Sequence, residues 1–305
     1  MEERNLWLDA WDRLRRNKLA VLGLVIALLL VFIAIFGPAL APYGYNQTHL
    51  DRIEEPPSAR HWLGTDQLGR DLLTRILHGA RTAVLVATLT SLISTSLGVL
   101  LGAMAAYLGG WVDTVISRII DILMSFPHLL LAIFVNATVK TPVQAALEDL
   151  GKSTGLPFLS NTVIIDYIIV FGALSLVGWP GMARLIRGQI LSLRSRDFVM
   201  AARALGISTR GVLARHLIPN ALGPIVVSVT VGFGGAMLSE SSLSYLGIGI
   251  QPPGASWGRM ISESLGRWRY APHLVLAPGL TLAVVIFAFN FLGDGLNDAL
   301  NPRLR

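Results

Sequence analysis

The run Gly151-Lys152-Ser153-Thr154 contains the residue types of a phosphate-binding loop. Such a loop needs glycine amides that converge on a phosphate, with a strand before it and a helix after it. Here a helical pattern precedes the run, and Glu148 and Asp149 would repel a phosphate. The sequence therefore argues against a nucleotide site in this segment.

Histidines are the other residues able to act as metal ligands or bases. They are scattered along the chain, at His49, His61, His78, His128, His216 and His273. None of them shows the paired spacing of a zinc site. The chain has no cysteine, which excludes thiolate ligands, disulfides and a cysteine nucleophile. We therefore predict no catalytic residue, no metal site and no cofactor in this chain.

The basic segment 187–220 is the feature with the strongest charge pattern. Seven arginines lie between Arg184 and Arg215, with Asp197 as the one acid among them. A pI of about 10.0 would also suit a nucleic-acid partner. However, the arginines cluster beside apolar runs, and the sequence contains no nucleic-acid recognition motif. We therefore expect no nucleic-acid partner and interpret the segment as a positive loop of a membrane protein.

This loop has the pattern of two short helices joined at Gly206. Ser195 or Asp197 can cap the first helix, and the glycine can end it in a left-handed conformation. Ser208 can cap the second helix, which Pro219 is expected to stop. We expect this elbow to grip a soluble partner through Ala201, Ala202, Arg203, Gly206, Ser208, Arg215 and Pro219.

Composition indicates that the bilayer is the solvent of this chain. The sequence is 53% hydrophobic and 14% charged, whereas globular domains carry about 25% charged residues. Six apolar runs are long enough to cross a bilayer, and only helices and closed barrels do so. The predicted fold is an all-α, polytopic membrane protein with transmembrane helices at Leu19–Leu40, Thr82–Leu108, Val112–Val139, Thr162–Met182, Ala221–Leu238 and Leu274–Gly293.

Positive residues set the orientation of these helices. With the N-terminus inside, 15 of the 25 Lys and Arg residues lie on the cytoplasmic side and 10 on the outside. The high density beside the first, fourth and fifth runs supports this choice. Both termini are therefore predicted to lie in the cytoplasm.

The chain divides into three predicted parts. Residues 1–41 form an interfacial helix, with Trp11 and Leu14 on its apolar side, followed by the first transmembrane helix. Residues 42–81 form an external segment, in which an apolar stripe predicts an amphipathic helix on the outer membrane surface. Residues 82–305 form a five-helix core that contains the basic segment.

Small and hydroxyl-bearing residues recur within the core helices. Such residues let helix backbones approach closely. They are also suited to lining a polar path, and the sequence leaves both roles open for Ser91, Ser94, Gly98, Gly102 and Gly232. Asp121 is an acid within a predicted helix, and Arg118, one turn away, is its expected ion-pair partner.

The two parts of the elbow, Met200–Gly206 and Arg215–Asn220, resemble the coupling loop of ABC-importer permeases. The family pattern is Glu-Ala-Ala, a following Gly and a downstream Leu-Pro. Met200 replaces the Glu, so the resemblance implies no salt bridge from this position. Three further stretches are similar to the second-type permeases of dipeptide, oligopeptide and nickel importers, at residues 63–71, 240–258 and 290–302. Segment 140–161 is longer than the family usually has.

This resemblance implies the transmembrane domain of a type I ABC importer in the inner (plasma) membrane of a prokaryote. The implied partners are a homologous second permease, two cytoplasmic ATPases that use ATP and Mg, an external substrate-binding protein and membrane lipid. The permease itself would be non-catalytic. Its outer motifs, with Asp66, Arg70, Asp71 and Trp257, would face the binding protein.

The resemblance favours a peptide substrate, of the dipeptide or oligopeptide class. A nickel-chelate or glutathione importer is an alternative, because those importers use similar permeases. An ion-coupled secondary transporter is a weaker alternative, since it would call for intramembrane acids, broken helices or inverted repeats.

Overall fold

The computed structural model describes residues 6–300. Predictions that rest on Arg4, Pro302, Arg303 and Arg305 lie outside the described residues. The regular structure of the described part is helical, apart from an isolated antiparallel bridge between Thr65 and Asp71. The α-helices are α1 Leu6–Arg16, α2 Lys18–Leu40, α3 Leu72–Leu108, α4 Gly110–Ser125, α5 His128–Thr154, α6 Thr162–Leu193, α7 Asp197–Ala204, α8 Thr209–Val212, α9 Ile218–Asn220, α10 Leu222–Tyr245, α11 Trp257–Ser264 and α12 His273–Leu300. Short 3₁₀ turns cover Pro157–Ser160 and Leu265–Arg267, and a π-helical turn covers Leu213–Leu217.

Six of these helices, α2, α3, α5, α6, α10 and α12, are long and apolar enough to cross a membrane. The predicted all-α fold with six transmembrane helices is therefore confirmed. Large apolar side chains cover the outside of the bundle; on α2, for example, Leu28 is 61% and Ile35 is 63% exposed. A monomeric protein in water rarely exposes an apolar surface of this extent, and lipid is the solvent that suits it.

Helix α3 begins earlier than the sequence predicted. The side chain of Asp71 accepts a hydrogen bond from the backbone N–H of Thr74, which caps the helix, and α3 then runs for 37 residues. The predicted surface helix in segment 42–81 is therefore wrong, because its residues are the first turns of α3. Ile76, on the apolar side, and Arg75, on the polar side, are both buried there, so this part of the helix does not have one side open to solvent.

The third predicted span, Val112–Val139, consists of two helices in the structure. α4 ends at Ser125 and α5 begins at His128, with Phe126 in an extended conformation between them. Pro127 causes this break, because a proline disfavours helical geometry in the residue before it. Helix α5 then continues to Thr154, so the predicted outer segment 140–161 starts as an extension of a membrane helix.

Close packing of α3 against α6 forms the centre of the bundle. A Cβ atom on Gly98 would lie 2.5 Å from the Cβ of Met182, and one on Gly102 would collide with the backbone carbonyl of Ala183. Only glycine lets the two backbones approach this closely. A buried apolar cluster around Trp257 joins α2, α3, α11 and α12 to this centre.

Candidate functional site

The elbow, residues 197–220, is a helix–glycine–helix turn at one end of the bundle. Gly206 has φ +79°. Its N–H donates to the carbonyl of Arg203 at 2.9 Å, and the N–H of Ile207 donates to the carbonyl of Ala202 at 3.1 Å. These two bonds are the Schellman motif, which satisfies the last carbonyls of a helix and requires a left-handed residue. The predicted glycine stop of α7 is thus present.

The second arm of the elbow begins at the predicted cap, where Ser208 Oγ accepts from the N–H of Gly211 at 3.3 Å. Pro219 does not stop this arm, contrary to the prediction. A π-helical turn, Leu213–Leu217, leads into α9, and only Ala221 separates α9 from α10. Proline at the start of a helix costs no intrahelical hydrogen bond, and the wide π turn provides the exit from the preceding helix.

The base of the elbow is packed firmly into the bundle. Val199, Val212 and Leu217 are fully buried, in a cluster with the ends of α3 and α6 and the start of α10. This end of the bundle is called the elbow end below. The elbow base and the ends of these three helices therefore form one continuous packed core.

The small pair at positions 201 and 202 is divided between two environments. Ala202 is buried in the base, whereas Ala201 is exposed. The guanidinium carbon of Arg203 lies 5.0 Å from the ring centroid of Tyr107, at the end of α3. Arg215 and Pro219 are exposed on the second arm.

Apolar side chains project from the tip of the elbow. Leu205 is 82%, Met200 is 52% and Phe198 is 41% exposed. Together with the basic residues around them, they form an apolar and positive surface at the elbow end. Exposed apolar groups of this kind mark sites where another protein binds.

Two ion pairs connect α4 to α6 near the elbow end. Arg187 donates to both carboxylate oxygens of Asp113, at 2.5 and 2.7 Å, and this hydrogen bonding lowers the pKa of the Asp113 carboxyl below its ordinary value. Asp121 accepts from Arg184 at 2.8 Å. The predicted pairing of Asp121 with Arg118 is therefore wrong, because the charge on the neighbouring helix lies within reach.

A cavity of about 460 Å³ lies between α3, α6 and α10, beside the first residue of α5. Most of its lining surface is apolar, and hydroxyl groups and glycines alternate there with apolar side chains such as Leu174 and Val229. The polar and glycine residues lining it are Thr90, Ser91, Ser94, Thr95, His128, Gly178, Gly181, Ser228, Gly232, Gly235 and Ser239. None of the described lining residues is Asp, Glu, Lys or Arg.

The small residues singled out from the sequence fall into two groups. Ser91, Ser94 and Gly232 line the cavity. Gly98 and Gly102 instead pack against α6. Helix packing is therefore the role of Gly98 and Gly102, whereas the path-lining role of Ser91, Ser94 and Gly232 stays a prediction.

The outer motifs lie at the far end of the bundle and are buried. Asp66 is 1%, Asp71 is 3% and Trp257 is 1% exposed. Trp257 Nε1 donates to the carbonyl of Ile76 at 3.0 Å. This burial contradicts the prediction that these side chains face the binding protein, since they are used to hold the outer segment to α3. Arg70 is also mostly covered, with 12% of its side chain exposed.

A buried ion network at the far end was missed by sequence reasoning. Asp66 Oδ2 accepts from Arg70 Nε at 2.7 Å and from Arg75 Nη1 at 2.6 Å. Arg75 also lies 3.5 Å from Glu263 of α11. In this way residues 66–75 and α11, which are far apart in the sequence, share one cluster of charges, and no local pattern reveals the link to Glu263.

A second group of polar contacts extends this network across the far end. Arg259 binds Glu263 at 2.9 Å and the side chain of Gln251 at 3.1 Å. The backbone N–H of Gln251 donates to Asp166 at 3.1 Å, and Lys140 lies 2.9 Å from the same carboxylate. The far end is therefore held by charged groups from α3, α5, α6 and α11.

Two family models match parts of this chain. A model for the binding-protein-dependent transport system inner membrane component matches residues 98–305. A model for the N-terminal TM domain of oligopeptide transport permease C matches residues 5–57. Together the two models span α1, α2 and the chain from Gly98 onward, which includes the elbow, α6 and α10.

Similar proteins align along nearly the full chain. A dipeptide transport system permease protein of Alkalihalophilus pseudofirmus is 40% identical over 299 residues, covering 98% of this chain and 90% of the relative. An oligopeptide transport system permease protein of Bacillus subtilis is 38% identical, covering 99% and 91%. A glutathione transport system permease protein of Escherichia coli is 36% identical, covering 99% and 92%. The chain therefore belongs to the family of binding-protein-dependent transport system inner membrane components, the multi-pass permease subunits of ABC importers.

Proposed function

We propose that this chain is one permease of an ATP-driven importer for peptides, forming half of the translocation path and coupling it to a cytoplasmic ATPase. The observation that carries this proposal is the shared packing of the elbow and the cavity. The elbow base is packed against the helices, α3, α6 and α10, that line the cavity. A push on the elbow is thereby delivered to the walls of the path.

The second arm of the elbow can transmit this push because its chain is almost continuously helical. From Thr209 to Tyr245 the chain is helical except at Ala221. ATP binding would close the ATPase dimer, displace the two elbows of the complex and switch the permeases from an inward-facing to an outward-facing state. The elbow then acts as the element through which two states of the complex are interconverted.

The peptide class is favoured by the relatives. Those named for dipeptide and oligopeptide transport align at 38–40% identity, and one named for glutathione transport at 36%. The hydroxyl groups among the cavity-lining residues suit the amide groups of a peptide, since hydroxyls both donate and accept hydrogen bonds. A glutathione importer is the second candidate, supported by that third relative. A nickel-chelate importer and an ion-coupled transporter have less support.

The proposed assembly contains this chain, a homologous second permease, two ATPases and an external substrate-binding protein. The ATPases, and not this chain, bind ATP and Mg. The elbow end and both termini lie in the cytoplasm, because most of the positive residues of the sequence fall on that side. The far end then lies outside, where the binding protein delivers substrate.

Reconstitution tests this function. The purified four-subunit complex in vesicles, supplied with the binding protein and a labelled dipeptide or tripeptide, should import peptide only with ATP. An ATPase-dead complex is the matched control and should import none. Uptake that persists with the dead ATPase but stops when ion gradients are dissipated would overturn the proposal in favour of a secondary transporter.

A further inference from the structure

We infer that His128 is the side chain through which this subunit selects among peptides by charge. It is the one titratable side chain among the described residues that line the cavity. A neutral imidazole can hydrogen-bond any peptide, whereas a protonated one favours acidic peptides over basic ones. The inference rests on the proposed function, and it specifies which peptides the path of this subunit favours and how pH changes that preference.

The cavity places His128 at the middle of the bundle. The cavity-lining residues of α3, from Thr90 to Thr95, lie near the centre of that 37-residue helix. Those of α10, from Ser228 to Ser239, occupy its central part. A titratable side chain at membrane depth costs free energy, and its presence there indicates a function by default.

The break between α4 and α5 brings His128 to the cavity. Phe126 and Pro127 form the break, and both are exposed in this chain. Non-helical backbone at membrane depth is tolerated where it is buried in protein or lines a water-filled cavity. Because this break is not buried within the chain, it indicates that the adjoining cavity is wet, and His128 follows it as the first residue of α5.

The imidazole of His128 is unused within the described chain. The residue is exposed, and its ring has no hydrogen-bond or ion-pair partner among residues 6–300. By contrast, the ring of His78 on α3 lies 2.9 Å from the carbonyl oxygen of Thr74 and is bonded there. The ring of His128 is therefore available to a molecule that occupies the cavity.

The arginines of α6 are directed away from His128. Arg184 and Arg187 lie in a separate groove against α4, where they bind Asp121 and Asp113. Neither arginine lines the cavity, so neither fixes the charge that a substrate meets there.

The other charges of the surrounding helices are also engaged or distant. Glu240 of α10 is buried and accepts hydrogen bonds from the hydroxyls of neighbouring serines. Asp166 of α6 binds Lys140 of α5, and α3 carries no Asp, Glu, Lys or Arg after Arg81. The tyrosines of these helices, Tyr107, Tyr167 and Tyr245, do not line the cavity. Protonation of His128 therefore introduces a charge into mostly apolar surroundings, where it acts strongly on a substrate.

The test measures charge preference on both sides of the histidine titration. Uptake of Ala-Glu-Ala and Ala-Lys-Ala by the full complex in vesicles is measured at about pH 7.5 and about pH 5.5, which bracket the ordinary histidine pKa of about 6.5. His128→Gln is permanently neutral and His128→Arg permanently charged. Dividing each acidic-to-basic uptake ratio by that of His128→Gln at the same pH cancels the contribution of the binding protein. The matched control is His78→Gln, because His78 lies on a membrane helix but does not line the cavity.

We expect the normalised wild-type ratio to rise about tenfold on acidification, which corresponds to about 1.4 kcal/mol. His128→Arg should show the raised ratio at both pH values, and His78→Gln should behave as the wild type. Equal ratios in the wild type and His128→Gln at both pH values overturn the inference and leave the proposed function standing. Loss of the second permease from the purified His128→Gln complex also overturns it, because the imidazole would then belong to the interface between the subunits.

Chemical modification covers the case in which the glutamine and arginine variants import nothing. The chain has no cysteine, so His128→Cys introduces a single thiol, and the other subunits are used in cysteine-free form. A cationic methanethiosulfonate reagent should raise the acidic-to-basic ratio of the assembled complex, and an anionic one should lower it. An unlabelled thiol, the same ratio after both reagents, or complete loss of uptake in the unmodified cysteine variant overturns the inference. The function proposed above fails only if the wild-type complex imports neither peptide with ATP.

Discussion

A single substitution at Gly206 should weaken binding of the ATPase while the helical bundle stays folded. Its φ of +79° lies in the left-handed region, and a Cβ built on it meets no atom within 4 Å. A side chain at this position therefore destabilises the turn because its backbone disfavours the left-handed conformation, and not because it overlaps with neighbouring atoms. That cost is about 1–2 kcal/mol for an ordinary residue, and a β-branched residue is a stronger outlier.

The expected effect of Gly206→Val on partner binding follows from this cost. A penalty of about 1–2 kcal/mol lowers the population of the native elbow turn about 5- to 30-fold relative to competing turns. If the ATPase binds only the native turn, its apparent affinity falls by up to the same factor. The bundle should remain folded, because the buried elbow base and the helices behind it keep all their contacts.

The assay titrates purified ATPase against vesicles that contain the permease pair, and then measures the ATP hydrolysis stimulated by the loaded binding protein. Gly206→Asn is the matched control, since asparagine is similar in size to valine but tolerates the left-handed region. We expect the valine variant to lose both binding and stimulation and the asparagine variant to keep most of each. Wild-type behaviour of the valine variant, or equal loss in both variants, would refute the conformational argument.

Three further substitutions test the packing and the charges. Gly102→Ala should lower the thermal midpoint of the detergent-solubilised complex, at a cost of about 1–3 kcal/mol, because its Cβ collides with an α6 carbonyl; the control Gly181→Ala has open space and should not lower it. Arg75→Ala leaves Asp66 with Arg70 as its remaining guanidinium partner, so the outer segment should lose about 1.5–3 kcal/mol of stability, the range for a hydrogen bond to a charged group, and become more sensitive to protease, whereas unchanged resistance would contradict the network. Hydrogen bonding to Arg187 on α6 lowers the pKa of the Asp113 carboxyl. The ion pair therefore stabilises the folded chain at pH values above the unfolded-state pKa of about 3.9, and this stabilisation is lost as the pH falls through the folded-state pKa. Asp113→Asn should abolish this part of the acid sensitivity in a pH series of unfolding, and an unaltered pH profile would show that the pair contributes nothing.

The elements that could be predicted from the sequence are those with local causes. Six apolar runs predict six membrane helices, because length and continuous apolarity are sufficient. The elbow is equally local, since Gly206 and Ser208 end and begin helices through bonds to their near neighbours. Pro127 is also a local signal, for the break between α4 and α5, and the predicted span Val112–Val139 did not take it into account.

The features that escaped prediction depend on contacts between distant segments. Arg187 and Asp113 are 74 residues apart, and neither has a neighbour pattern that selects the other. Asp66, Arg70, Asp71 and Trp257 were predicted to face the binding protein because their motifs resemble the outer segments of the permease family. Their burial results from the way that α11 and the outer segment fold over the start of α3. The residue types alone therefore do not show which side of the outer segment is exposed to solvent.

The packing of the elbow base explains how a push on the elbow would reach the cavity. The π turn Leu213–Leu217 is held between the fully buried side chains of Val212 and Leu217. Beyond that turn, Ala221 and Ile225 of the elbow base are within about one or two helical turns of Ser228 in the cavity wall, a rise of roughly 10 Å from Ala221 at about 1.5 Å per residue. Met182 belongs to the buried elbow cluster and also lines the cavity. Since a packed core rearranges as a unit, displacing the base should also reposition the cavity wall.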